Sequence, residues 1–280
     1  MNIENIKARK SVRTYNEENI SPEILERIEE FIKKTDNPFN IPIEFRLLDA
    51  NEYKLSSPVI IGAKKYVAGK YKKQINGEVA FGYSFEKFVL YATEIGLGTV
   101  WIAGTMDRKA FESAMDIKEG EIMPAVTPIG YKADKQSIRE NIMRKAIKAD
   151  SRINFDKLFF KNDFNTALNE DEAGKWLIPF QMVRWAPSGV NRQPWRVVVE
   201  GDKIYFYEKR TKGYERDNVG DAQKIDLGIA LCHFDIATRE IGLKGHFYQD
   251  NPNIATPENT EYIATFEIML PQSHRLYTVG

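Results

Sequence analysis

Apolar residues recur along this chain at two periods, and the two periods separate helices from strands. Ile3 and Ile6 mark one face of a short helix within residues 1–8. Ser21 then Pro22 reads as an N-cap and a first helical residue, ahead of an apolar stripe of Ile24, Leu25, Ile28, Phe31 and Ile32. Residues 83–95 carry Phe85, Phe88, Val89, Ala92 and Ile95 on one side and stop at Gly96-Leu97-Gly98, which suits a helix C-terminus. Residues 111–115 predict a short helix, 170–184 a longer one facing inward through Trp176, Leu177, Phe180 and Val183, and 226–241 another, closed by Gly242. Strands are expected at 43–48, 58–63, 123–131, 196–199, 204–207, 246–248 and 263–270, where β-branched and aromatic residues alternate or run together. Thr99 to Gly104 is an apolar connector, and the charged stretch 132–157 reads as an extended arm or solvated helix bridging two halves.

The order helix, turn, strand, helix occurs twice. Glu94-Ile95-Gly96-Leu97 closes one helix, and Glu240-Ile241-Gly242-Leu243 closes another 146 positions later. This predicts an internal duplication, with halves at 1–150 and 151–280. The expected fold class is α+β: two halves, each a mixed or antiparallel sheet flanked by helices, packed as an intramolecular pseudo-dimer.

Composition narrows the function classes. The 280 residues hold 40 basic and 40 acidic side chains, so no electrostatic reason exists to expect nucleic acid or an anionic membrane as partner. The polar N-terminus and the lack of a long apolar run predict neither signal peptide nor membrane span, and the lone Cys232 fits a reducing, cytoplasmic setting. Cys232 itself reads as a small buried hydrophobe on a helix. His233, His246 and His274 show no metal-ligand spacing, so no metal is expected.

Two segments stand out chemically. Trp185-Ala186-Pro187-Ser188-Gly189-Val190-Asn191-Arg192-Gln193-Pro194-Trp195 crowds rigid and polar residues into a turn placed against a strand, a context that presents side chains to a ligand. Arg9-Lys10-Ser11-Val12-Arg13 offers a guanidinium fork and a hydroxyl two residues apart, suited to a phosphate monoester. Taken alone, Arg9 and Arg13 would read as solvated surface charge; the rest of the constellation reverses that. Trp185 and Trp195 are expected to pack beneath the turn.

These segments, with Gly96-Leu97-Gly98-Thr99-Val100-Trp101-Ile102-Ala103-Gly104 and Pro128-Ile129-Gly130-Tyr131, resemble the FMN-dependent nitroreductase family. Its ordinary members are shorter and form homodimers, one subunit holding the flavin phosphate and the other lying over the ring. Here the phosphate segment sits in the first half and the ring turn in the second, so the resemblance implies two nitroreductase-like halves with one FMN between them. It also implies a second pseudo-site, at Asn37-Pro38-Phe39, that has lost both parts.

By the same resemblance Arg9, Lys10, Ser11 and Arg152 would hold the phosphate, and Arg13 would reach the ribityl chain or the pyrimidine edge. Pro187, Ser188, Gly189, Asn191 and Gln193 would clasp the ring. Asn51 and Lys54 would meet the pyrimidine edge, and the backbone of Ala103 and Gly104 would lie near flavin N5. The implied activity is NAD(P)H-driven two-electron reduction of a nitroaromatic, quinone or similar small electrophile, with NADH or NADPH as reductant, in a monomer acting as a pseudo-dimer. A flavin-binding protein that stores or senses FMN without turnover is the alternative.

Overall fold

The computed structural model describes residues 1–134, 151–217, 219–250 and 252–269. The boundary expected at 150, most of the arm at 132–157, the last residue of the strand at 263–270, and His274 lie outside them.

Helix α1 (Ile3–Ala8) starts at Asn2, whose side chain accepts from the Asn5 backbone while Asn5 returns the bond. Helix α2 (Pro22–Lys34) begins as its sequence predicts, with the Ser21 hydroxyl accepting from the Ile24 N–H. Strand β1 (Glu44–Asp49) pairs antiparallel with β2 (Lys65–Lys72). Helix α3 (Gly77–Glu94) and helix α4 (Arg108–Ala114) follow. Short β3 (Glu121–Ile122) and β4 (Val126–Ile129) then share the other side of β2.

The second half opens on β5 (Phe159–Lys161) and α5 (Leu177–Trp185), then the antiparallel pair β6 (Trp195–Glu200) and β7 (Lys203–Lys209). A two-residue pairing of β8 (Glu215–Arg216) with β9 (Gly220–Asp221) leads into α6 (Ala222–Glu240). Strands β10 (Gly245–Tyr248) and β11 (Thr260–Ile268) complete a sheet ordered β10-β11-β7-β6-β5, parallel at β5–β6 alone.

The two halves therefore share one scheme. Antiparallel order β1-β2-β4 with α3 between the last two strands matches β6-β7-β11 with α6 in the same place. Helices α3 and α6 pack against each other, and the contact is symmetric. A Cβ on Gly82 would fall 2.1 Å from the carbonyl oxygen of Ile225, and one on Gly228 would fall 2.1 Å from that of Val79. Gly82 and Gly228 are 146 positions apart, as are Val79 and Ile225, the same offset as the repeated Glu-Ile-Gly-Leu words. Glycine is required at both positions because backbone meets backbone across the crossing. Both helices are buried on nearly all sides, as expected of elements held between two sheets.

Several elements differ from the sequence reading. Residues 58–63 are not a strand: 58 and 59 are in a turn, and Ile61 makes only an isolated bridge to Thr14. The strand is β2 instead, obscured because its lysines look solvent-facing, whereas Lys70 is buried and ion-paired to Glu121 at 2.8 Å. Helix α3 begins six residues earlier than residue 83, its glycine-rich first turns being set by packing rather than propensity. Helix α6 begins four residues before Asp226, N-capped by Asp221, which accepts from the Gln223 and Lys224 N–H groups. The helix expected from 170 forms only from 177, after a short 3-10 turn.

Candidate functional site

A cleft of about 270 Å³ lies where the halves meet. One wall comes from the chain leaving α1. After Arg9 the backbone extends, with the Val12 N–H donating to the Thr99 carbonyl at 2.8 Å and the Arg13 carbonyl accepting from Ile61 N–H at 2.9 Å. Extended backbone alternates its side chains. Val12 is buried toward the core, and Ser11 and Arg13 both line the cleft. The connector contributes Val100, Trp101, Ile102, Ala103 and Thr105, and the segment before β4 contributes Pro124 and Ala125.

The facing wall belongs to the second half. Pro187, Ser188, Gly189 and Val190 of the turn line the cleft together with Val219, just before β9, and Ala222, Ile225, Asp226 and Ile229 of α6. The turn is strained. Val190, Asn191 and Gln193 have φ of 45°, 58° and 51°, and a β-branched residue in the left-handed region is uncommon. Hydrogen bonds hold it there. Gly189 N–H donates to the Asp226 carboxyl at 3.0 Å, and Gln193 N–H donates to Ser188 Oγ at 2.9 Å.

Asn191 and Gln193 do not face the cleft. Asn191 Nδ2 donates to the Ser151 carbonyl at 3.0 Å, and Gln193, 2% exposed, accepts the Ile153 N–H at 3.0 Å through Oε1. They bind the turn to the chain at 151–153. Arg152 lies on that stretch, donating to the Ser151 carbonyl, beside the turn and outside the cleft lining. Trp195 packs fully buried beneath the turn as expected, but Trp185 is 42% exposed at the end of α5.

Other expected site residues lie elsewhere. Lys10 is exposed and is not part of the cleft lining. Arg9 turns inward, 3.8 Å from the carboxylate of Glu86, with its side chain 10% exposed. Asn51 and Lys54 sit on the exposed turn after β1, and Asn51 lines a separate cavity with Asp49 and Lys64. The Ala50 N–H donation to the Lys64 carbonyl pins that turn to the outer edge of the sheet. Gly104 is exposed next to Ala103 but is not part of the lining. The Asn37 turn is closed on itself: Asn37 is buried, donates to the Ile41 carbonyl at 2.7 Å and accepts from Phe39 N–H.

Three residues escaped the sequence reading. Glu86, fully buried on α3, accepts from the Trp101 indole at 2.7 Å and meets His233 Nε2 of α6 at 2.9 Å, while His233 Nδ1 contacts the Met182 carbonyl at 3.0 Å. This network ties the cleft wall at Trp101 to both halves. Arg108 on α4 donates to the carbonyls of Ala103 at 2.7 Å and Met123 at 2.8 Å, bracing two lining segments. Asp226 is 5% exposed within an otherwise apolar helix turn, and burial pushes its carboxyl well above the usual carboxylate range. A carboxylate between Ile225 and Leu227 was the signal available, hidden because the helix start was placed there.

Among the described residues the lining holds two ionisable groups, Arg13 and Asp226, with the Ser11 and Ser188 hydroxyls, in otherwise mostly apolar walls. That donor set suits a flat heteroaromatic ring carrying an anionic group. Among the described residues no group of His, Cys, Asp and Glu could hold a metal ion.

A family model described as "Putative TM nitroreductase" matches residues 2–238. The crystal structure of a putative nitroreductase from Thermotoga maritima MSB8 is 20% identical, with TM-score 0.62, and the match covers 96% of this chain and 93% of that one. That likeness shows the fold. A nitroreductase family protein from Clostridium novyi NT (21% identical, TM-score 0.40) matches over 47% of this chain and 84% of its own. A nitroreductase with bound FMN from Bacteroides fragilis NCTC 9343 (19% identical, TM-score 0.40) matches over 49% and 90%. No curated protein matches.

Proposed function

Because the chain belongs to the putative TM nitroreductase family, we propose that it is an FMN-dependent oxidoreductase that uses NADH or NADPH to reduce a nitroaromatic, a quinone or a similar small electrophile. One FMN occupies the cleft between a first half at 1–150 and a second at 151–280, and the single chain acts as a cytoplasmic monomer. The observation that carries this reading is that Ser11 and Arg13, from one half, line one cleft with Pro187, Ser188 and Gly189 from the other. Among the described residues no helix is long and apolar enough to cross a membrane.

When bound, FMN supplies two-electron hydride chemistry. The chain's own residues bind, orient and shield. Arg13 and Ser11 offer a charge-assisted fork and a hydroxyl to the anionic end of the cofactor. Arg9 acts behind them through Glu86, as a positioning residue. The small Ala103 leaves a ring face open to donor and acceptor, and Arg108 holds its carbonyl so that the backbone N–H groups following it point consistently. The strained turn at Gly189 and Val190 closes the opposite side, and the apolar walls exclude water, which strengthens the polar contacts within.

The test is spectroscopic. Purified protein supplied with FMN is mixed anaerobically with NADH or NADPH. The flavin absorbance should bleach, and a quinone should restore it. Protein that takes up no flavin refutes the reading, and a bound flavin that neither nucleotide bleaches supports storage or sensing instead.

A further inference from the structure

Asp226 has no task in the account above beyond accepting one hydrogen bond. It stands on the cleft face of α6 between Ile225 and Leu227, 5% exposed, and lines the same cavity as Ser11, Arg13 and Ala103. Both carboxyl oxygens face the Gly189 N–H at 3.0 Å, and no cation lies within ion-pairing distance of it among the described residues. A serine or asparagine would anchor Gly189 as well, without placing an acid in an apolar wall. The charged groups packed around it do not favour a carboxylate. Asp221, the N-cap of the same helix, and Glu208 on β7 are both acidic, and Lys224 on α6 is ion-paired to Glu261 at 2.7 Å. From the turn, Arg192 Nε donates to the Tyr214 hydroxyl, and Arg13 across the cleft is the remaining cation of the lining. Burial, with Asp221 and Glu208 adding to it, keeps this carboxyl protonated far above the usual range, and the Gly189 N–H offsets only part of that. A protonated carboxyl can accept from Gly189 through its carbonyl oxygen and still offer its O–H to the cleft.

We infer that Asp226 is the proton donor of the cleft, delivering to the electron acceptor the proton that must accompany the hydride. The inference rests on the oxidoreductase reading above. Reducing a quinone consumes NAD(P)H and one proton and yields NAD(P)⁺ and a hydroquinone. The hydride from NAD(P)H carries both electrons, and the acceptor oxygen left negative by them takes the proton. The carboxyl O–H bond of Asp226 breaks and the acceptor O–H bond forms. The resulting carboxylate, held by the Gly189 N–H, regains a proton from water at the cleft mouth. Proton delivery by a positioned acid accelerates such steps by about 10²–10⁴-fold.

The Asp226→Asn variant keeps an acceptor for Gly189 and removes the acid. The informative quantity is the ratio of quinone to ferricyanide reduction rates, because ferricyanide takes electrons singly and needs no proton. That ratio should fall about 100-fold in D226N. In flavin-free protein at pH 7, the wild-type-minus-D226N infrared difference spectrum should contain the band of a protonated carboxyl, the Glu208 contribution cancelling between the two. An unchanged ratio, or no such band, overturns the inference and leaves the oxidoreductase reading standing. Wild-type protein that reduces neither acceptor defeats that parent reading instead. If D226N does not fold, the wild-type pH profile decides: quinone turnover should fall at high pH along one ionisation while ferricyanide turnover does not, and parallel profiles overturn the proposal.

Discussion

Substituting alanine at Gly228 tests the pseudo-dimeric core directly. Its new Cβ would lie 2.1 Å from the Val79 carbonyl oxygen, 2.7 Å from the Tyr83 nitrogen and 2.9 Å from the Gly82 Cα, against ordinary contact from about 3.4 Å upward. All three neighbours are backbone, so no rotamer change relieves the overlap, and α3 and α6 must part by roughly 1 Å. Overpacking of this kind costs about 1–3 kcal/mol and sometimes more, while alanine returns about 1 kcal/mol of helix propensity. Taking the upper end of that cost, because backbone cannot move aside, a net loss of about 2 kcal/mol follows, which for a chain of this size lowers Tm by about 4 °C. Gly82→Ala should behave alike, its Cβ falling 2.1 Å from the Ile225 carbonyl oxygen. Because either change already separates the helices, the double variant should cost less than the sum, by about 1 kcal/mol. Gly104→Ala is the stability control, with no atom within 4 Å of the added Cβ. Thermal and urea unfolding measure all four. A G228A protein within 0.5 kcal/mol of wild type would refute the backbone-on-backbone crossing.

Other outcomes follow from the same structure. Arg13→Ala should weaken FMN binding about 10- to 100-fold in a fluorescence titration, the worth of a charge-assisted bond to an anion. Arg108→Ala removes the ties to the Ala103 and Met123 carbonyls, and should cost about 1–2 kcal/mol of stability together with a several-fold loss of FMN affinity. Glu208 is buried with neither carboxyl oxygen hydrogen-bonded among the described residues, and burial pushes its pKa up to about 7 from 4.5. A folded-state pKa raised in this way means the folded form binds the extra proton. Stability is therefore fully kept below pH 4.5 and lost as the pH rises to about 7, by up to about 3 kcal/mol. Glu208→Gln should flatten that slope in denaturant titrations run across the range, and an unchanged slope would assign it to other groups.

Part of the candidate cleft was legible because its determinants are local. The alternation Ser11, Val12, Arg13 makes a two-sided extended segment, and the prolines and glycine of the 185–195 turn announce a shaped loop. The 146-residue repeat predicted a duplication, and the glycines of the α3–α6 crossing obey the same offset, though nothing local marked them as a crossing. What stayed hidden depends on long-range partners. Asn191 and Gln193 look like ligand-facing amides, yet Ser151 and Ile153 engage them. Arg9 reads as a phosphate ligand, yet its side chain lies beside Glu86, far away in sequence. Strand β2 was missed because a buried lysine has the same letter as a solvated one, and Asp226 because one buried acid resembles a helix start.

The central claim is one flavin site built from both halves. Flavin-depleted protein titrated with FMN, followed by flavin fluorescence with the chain concentration fixed by amino-acid analysis, tests it most directly. The account predicts saturation at one FMN per chain, with affinity lowered both by Arg13→Ala in the first half and by Ser188→Ala in the second. Two FMN per chain, or a single site that neither variant weakens, would contradict it.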